Sequence, residues 1–221
     1  MAFRGAIFDL DGTVLDSMAV WGHVLPNFLR DRGLELKPGL MERVGSMTFA
    51  QSSQYVKELY ALSDSPEAIQ MAWSEEARRQ YAEEVPEKAG AGDFIRKLKV
   101  SGIRLSAATA CMRPLAEAAL GRLGLRSFLE PIFYADELGM DKRNPRLYEC
   151  CAEAMEILPC ECVVFEDSFQ TLAAVREAGM KFVGVFDARS AADAVKLRQE
   201  GDLFVIHWDG LTVEEIACLF S

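Results

Sequence analysis

The sequence predicts a doubly wound α/β fold: a parallel sheet covered by helices on both faces, with an all-helical unit inserted near its start. Three observations carry this. Six short, near-continuous apolar runs recur along the chain, the pattern of strands buried on both faces. Amphipathic helical patterns lie between most of them, and strands alternating with helices build a parallel sheet. One stretch, residues 17–84, breaks the alternation and reads as helices only. The expected core is thus Rossmann-like and formed by residues 1–16 and 86–221, with residues 17–85 as a helical cap set into it. With 221 residues, half of them hydrophobic, the chain suits one sizeable core plus a smaller insert better than two equal domains.

Residues 3–8 read as the first strand. In the insert, Val20, Trp21, Val24, Leu25 and Phe28 form one stripe. Trp21 is expected to pack into the core there, and Pro26 to kink or shorten the helix. Ile69, Trp73, Ala77 and Tyr81 form a second stripe. Residues 85–92, which hold Pro86, Gly90 and Gly92, have the composition of a hinge, and the helix after them ends at Gly102. Residues 103–108, 131–135, 162–165, 182–186 and 203–206 read as the remaining strands. Between them, Leu115, Ala118, Ala119 and Leu123 share one face of a helix that Gly124 can cap. Leu147, Cys151, Ala154 and Met155 share a face of the next. The sequence contains no internal repeat and no low-complexity tract.

The formal net charge is -10. Such a field disfavours nucleic acid and anionic membranes as partners. An anionic small molecule would need local help from a metal ion, a lysine or backbone amides. No apolar run approaches the roughly 18 residues of a membrane span, and Asp9 and Asp11 interrupt the only N-terminal candidate for a leader. No two of the six cysteines have C-x-x-C spacing, so reduced, mostly buried thiols are expected. The expected form is a cytoplasmic monomer.

Chemistry concentrates at strand ends. Phe8-Asp9-Leu10-Asp11-Gly12-Thr13 follows the first strand directly, and ligands of open α/β sheets sit beyond the carboxyl ends of strands. Two carboxylates two residues apart can hold a hard divalent cation. Alternatively, one can attack phosphorus while the other serves as a general acid. A polar turn is the bland alternative. Val163-Val164-Phe165-Glu166-Asp167-Ser168 repeats the pattern, and both acid pairs together would form the oxygen-rich site that Mg²⁺ prefers. Ser168 also suits the N-cap of a following helix. Thr109 ends the second strand and can donate to a phosphate oxygen or serve as a helix cap. Lys142, in the loop Met140-Asp141-Lys142-Arg143-Asn144-Pro145, can neutralise developing charge or stand as a solvated surface lysine.

In this order, the four pieces resemble the haloacid dehalogenase superfamily of phosphotransferases. The match covers essentially the whole chain. It is closest to the helical-cap branch that includes β-phosphoglucomutase and many sugar-phosphate phosphatases. The resemblance implies that Asp9 is the nucleophile of an aspartyl-phosphate and that Asp11 protonates the leaving group and then activates water. It implies Mg²⁺ bound by Asp9, by the main-chain carbonyl of Asp11 and by Asp167, with Glu166 as a ligand or one shell out. Thr109 and Lys142 would grip the phosphoryl group. Asp11 is the acid that dehalogenase members lack, so its presence points to phosphoryl chemistry. The chain departs from the usual K-P-x-P motif at Lys142-Arg143-Asn144-Pro145, has Asp141 where a glycine usually precedes the lysine, and has Gln170-Thr171 for the common A-G.

In the insert, Trp21, His23, Arg43, Ser46, Met47, Gln51 and Lys57 are candidates to select the substrate, and the turn Val44-Gly45-Ser46 resembles a substrate-contacting place in related caps. His23 is expected at the surface. The function expected is a Mg²⁺-dependent phosphatase of a small phosphorylated metabolite, possibly a sugar phosphate. The alternatives are a β-phosphoglucomutase-type mutase using the same intermediate and a non-catalytic binding protein, against which the intact Asp9, Asp11, Thr109, Lys142 and Asp167 argue.

Overall fold

The computed structural model describes residues 3–45, 47 and 49–221. The chain forms two compact units, Met1–Ser17 with Val85–Ser221, and Met18–Glu84. In the first, six parallel strands pair in the order β3-β2-β1-β4-β5-β6. They are β1 (Gly5–Phe8), β2 (Arg104–Thr109), β3 (Ile132–Tyr134), β4 (Cys162–Glu166), β5 (Lys181–Val185) and β6 (Leu203–Val205). This is the doubly wound order in which the sheet reverses direction at β1 and β4, the place where such sheets bind ligands.

Period-two alternation divides the sheet's two faces. Ile7, Ala108, Val164 and Phe182 pack with Leu147, Tyr148, Leu172, Val175 and Leu197. These come from helices α7 (Pro145–Ala154), α8 (Leu172–Glu177) and α9 (Ala191–Glu200). On the other face, Phe8 stacks on Phe165 with ring centroids 4.8 Å apart, and Phe94 and Trp208 close around the pair. Phe94 lies on α5 (Ala91–Val100), and α6 (Arg113–Arg122) and α10 (Val213–Cys218) complete this unit's α-helices.

The stripes read from sequence are partly rotated. In α6 the buried positions are Leu115, Ala116, Ala119 and Leu120, not Ala118 and Leu123, because the helix ends at Arg122 and Leu123 lies past its last turn. Gly124 follows with φ +68°, the left-handed conformation expected of a helix stop. In α7, Tyr148 and Ala152 are buried and Ala154 is exposed. The cysteines are free, but Cys160 and Cys218 are exposed and Cys150 is half-buried, so only Cys111, Cys151 and Cys162 are core residues.

Among the described residues the second unit is all-helical: α1 (Val20–Arg30), α2 (Leu40–Gly45), α3 (Phe49–Tyr60) and α4 (Pro66–Glu83). The α4 stripe is buried as expected, and Ser65 caps it by accepting from the Ala68 N–H. Helix α1 runs through Pro26 rather than ending there, and buries Val20, Val24, Leu25, Phe28 and Leu29. Trp21 is not core: it is 41% exposed at the edge of this face, edge-on to Phe49. His23 is exposed, Arg43 lies over the Tyr55 ring, and the Lys57 amine donates to the carbonyls of Leu62 and Asp64 after α3. Ser46 lies outside the described residues.

Candidate active site

Register builds the site. Phe8 pairs with Phe165 across β1 and β4, so the next residues, Asp9 and Glu166, emerge side by side. The Asp9 N–H donates to the Phe165 carbonyl at 3.0 Å, extending the ladder one step further. Alternation aims both carboxylates to the face carrying α7, and Lys142 meets them from the loop before that helix. Its Nζ lies 2.6 Å from Asp9 Oδ1 and 2.5 Å from Glu166 Oε2. Asp167 follows, and carboxylate oxygens of Asp9, Glu166 and Asp167 lie within 4.8 Å of one another. All three side chains are buried.

Gly12 makes room for this cluster. Its φ is +87°, and a Cβ there would stand 2.6 Å from Asp167 Oδ2. A side chain at this position would displace the carboxylate, and the backbone conformation itself favours glycine. The same oxygen accepts from Ser190 Oγ at 2.8 Å. The Asp11 Oδ1 accepts from Ser17 Oγ at 2.5 Å. Thr109 ends β2, next to β1 in the sheet, and is fully buried. Its Oγ1 accepts from the Cys111 N–H at 3.0 Å, a local turn rather than a helix cap. Ser168 does not cap through its side chain; instead its N–H donates to Glu166 Oε1.

Residues 6–185 match the family model of the haloacid dehalogenase-like hydrolases. The chain belongs to this family. It is 30% identical over 188 residues to the fructose-1-phosphate phosphatase YqaB of Escherichia coli, which covers 83% of this chain and 96% of that relative. It is 25% identical over 178 residues to a phosphorylated carbohydrates phosphatase of Thermotoga maritima, covering 80% of this chain and 82% of the relative. A solved Thermotoga maritima structure, provisionally designated a β-phosphoglucomutase, shares the fold with a TM-score of 0.80 at 23% identity, over 93% of this chain and 95% of the other.

The hydrolase holds three carboxylates against one lysine. Burial pushes Asp9 up to about 6 despite the Lys142 amine beside it, and the Asp167 charge adds to the rise. Burial, then the Asp9 charge, pushes Glu166 up to about 8. Burial also raises Asp167. Burial opposes the charge on Lys142, but Asp9 and Glu166 outweigh it and keep the ammonium charged. The excess of buried negative charge, carried wholly on oxygen donors, fits a hard divalent cation.

Two features were not read from the sequence. Tyr148, fully buried on α7, donates its hydroxyl to the Lys142 carbonyl at 3.0 Å. Its signal was an aromatic with a polar tip on an apolar helix face, which needs a partner when buried. Asp141, where a glycine was expected, accepts from the backbone and guanidinium of Arg143 at 2.8 Å, so the altered loop around Lys142 closes by an ion pair.

Proposed function

We propose that this hydrolase is a Mg²⁺-dependent phosphatase of small phosphorylated carbohydrates that works through an aspartyl-phosphate on Asp9. The observation that carries the reading is the buried Asp9–Glu166–Asp167 cluster with Lys142 bridging two of its members. The substrate class follows the fructose 1-phosphate and phosphorylated-carbohydrate phosphatases it resembles.

In this reading an Asp9 carboxylate oxygen attacks phosphorus, and the bond from phosphorus to the sugar oxygen breaks. Asp11 gives its proton to that oxygen, so the alcohol leaves neutral. Water then attacks the phosphorus of the aspartyl-phosphate. Asp11 takes a proton from it, the acyl phosphate bond breaks, and Asp9 is regenerated with release of inorganic phosphate. Lys142 offsets the repulsion between Asp9 and the incoming phosphate, and Thr109 donates its hydroxyl to a phosphoryl oxygen. Asp9, Asp167 and the Asp11 carbonyl would hold Mg²⁺, with Glu166 as a ligand or beside one, and the ion would supply Lewis-acid neutralisation of the phosphoryl charge. Residues 17–85 act as the cap that chooses among substrates, and the enzyme works as a cytoplasmic monomer.

The test is phosphate release from a panel of phosphorylated sugars, polyols and nucleotides, with Mg²⁺ or EDTA, beside Asp9→Asn. Selective release that needs Mg²⁺ and vanishes in Asp9→Asn supports the reading. Isomerised sugar phosphate without net phosphate release would replace it with the mutase.

A further inference from the structure

We infer that Ser190 is a positioning residue for the metal site, holding Asp167 in the orientation that binds the ion. The inference rests on the reading of Asp167 as a metal ligand. Ser190 directly precedes α9, where a serine ordinarily accepts from the helix's first free N–H groups. It makes no such bond. Its hydroxyl donates instead to Asp167 Oδ2 at 2.8 Å. That oxygen is thus confined between Ser190 Oγ and the backbone of Gly12, where no Cβ would fit. Holding that oxygen limits the directions open to the carboxylate.

The segment bearing Ser190 is itself anchored. Asp187 is buried, accepts from the Arg189 N–H at 2.8 Å and pairs with Lys88 Nζ at 2.7 Å. The Lys88 amine also donates to the Phe186 carbonyl at 2.8 Å, and the Lys88 N–H donates to the Val14 carbonyl. A second tie joins the turn after Asp167 to α9: the Phe169 N–H donates to Asp193 Oδ2 at 3.0 Å. The serine hydroxyl is therefore presented to Asp167 from a fixed support. Partners that orient a ligand in this way typically carry about 10–100-fold in metal affinity or activity.

The test is calorimetric titration of the full-length protein with MgCl₂ in phosphate-free buffer, alongside melting temperatures in EDTA and in Mg²⁺. Ser190→Ala is expected to weaken Mg²⁺ binding by about tenfold or more. Ser190→Thr, which keeps the hydroxyl, is expected to restore most of the loss. Asp167→Asn is the control for a lost ligand. Unchanged Mg²⁺ affinity in Ser190→Ala overturns the inference. So does an equal fall in melting temperature with and without Mg²⁺, which would mark a structural role only. A wild-type protein that binds no Mg²⁺ overturns the metal reading of Asp167 and this inference with it, whereas wild-type binding with an indifferent Ser190→Ala sinks this inference alone.

Discussion

At the scale of single residues, Gly12 and Lys142 make the sharpest demands. Gly12→Ala would set a Cβ 2.6 Å from Asp167 Oδ2 at a φ of +87°. It is expected to abolish measurable Mg²⁺ binding while leaving the far-ultraviolet circular dichroism of the fold unchanged; retained binding would show that Asp167 is not held as described. Lys142→Met removes the cation bridging Asp9 and Glu166. Turnover is expected to fall about 10²–10³-fold, the range seen when one electrostatic stabiliser is lost. A loss confined to KM would contradict a role in the chemical step. The meeting of Asp9, Glu166 and Asp167 was legible in the sequence because an apolar run ending in acids puts carboxylates at a buried strand end. Ser190 was not, because S-A-A-D reads as an ordinary helix start. Its hydroxyl points elsewhere only because Asp167, 23 positions away, lies beside it.

Secondary-structure elements were easier to find than to orient. All six strands fell where near-continuous apolar runs lay, and for the inner strands this is because a strand buried on both faces needs apolar residues throughout. Helix faces were less secure. Five apolar residues in ten suit two adjacent stripes, and α6 buries Ala116 and Leu120 rather than Ala118 and Leu123. Trp21 was misjudged for the same reason, since size alone does not say which side of a stripe faces inward. The pairing of Phe8 with Phe165, which sets Asp9 beside Glu166, is a long-range fact that no local pattern encodes. At this scale α7 is expected to matter through Tyr148. Tyr148→Phe removes one hydrogen bond to the Lys142 carbonyl at a cost of about 1 kcal/mol in stability. Turnover is expected to fall more than that loss implies, because the lysine is released. Wild-type turnover in the variant would show that the loop holds Lys142 without it.

The whole molecule couples charge, metal and stability. Without a metal, Asp9 is pushed up to about 6 and Glu166 to about 8. The folded protein then holds these protons more tightly than the unfolded chain does. The contribution of these two groups to stability is therefore fullest below the ordinary carboxylate range and is lost as pH rises through about 6 and then about 8. In EDTA the melting temperature is expected to fall across that window, and the gain on adding Mg²⁺ is expected to grow with pH. Glu166→Gln should flatten the upper part of the EDTA curve. A Mg²⁺ gain that stays constant from about pH 5 to about pH 8.5 would contradict this coupling. The central claim, covalent catalysis by Asp9, is tested most directly by trapping. Enzyme turning over a phosphorylated sugar with Mg²⁺ is quenched with borohydride, which reduces an aspartyl-phosphate to homoserine, and the peptide carrying position 9 is read by mass spectrometry. Homoserine at position 9 that appears only with substrate and Mg²⁺ is the expected result. Sustained phosphate release with position 9 unmodified, or homoserine at another aspartate, would contradict it.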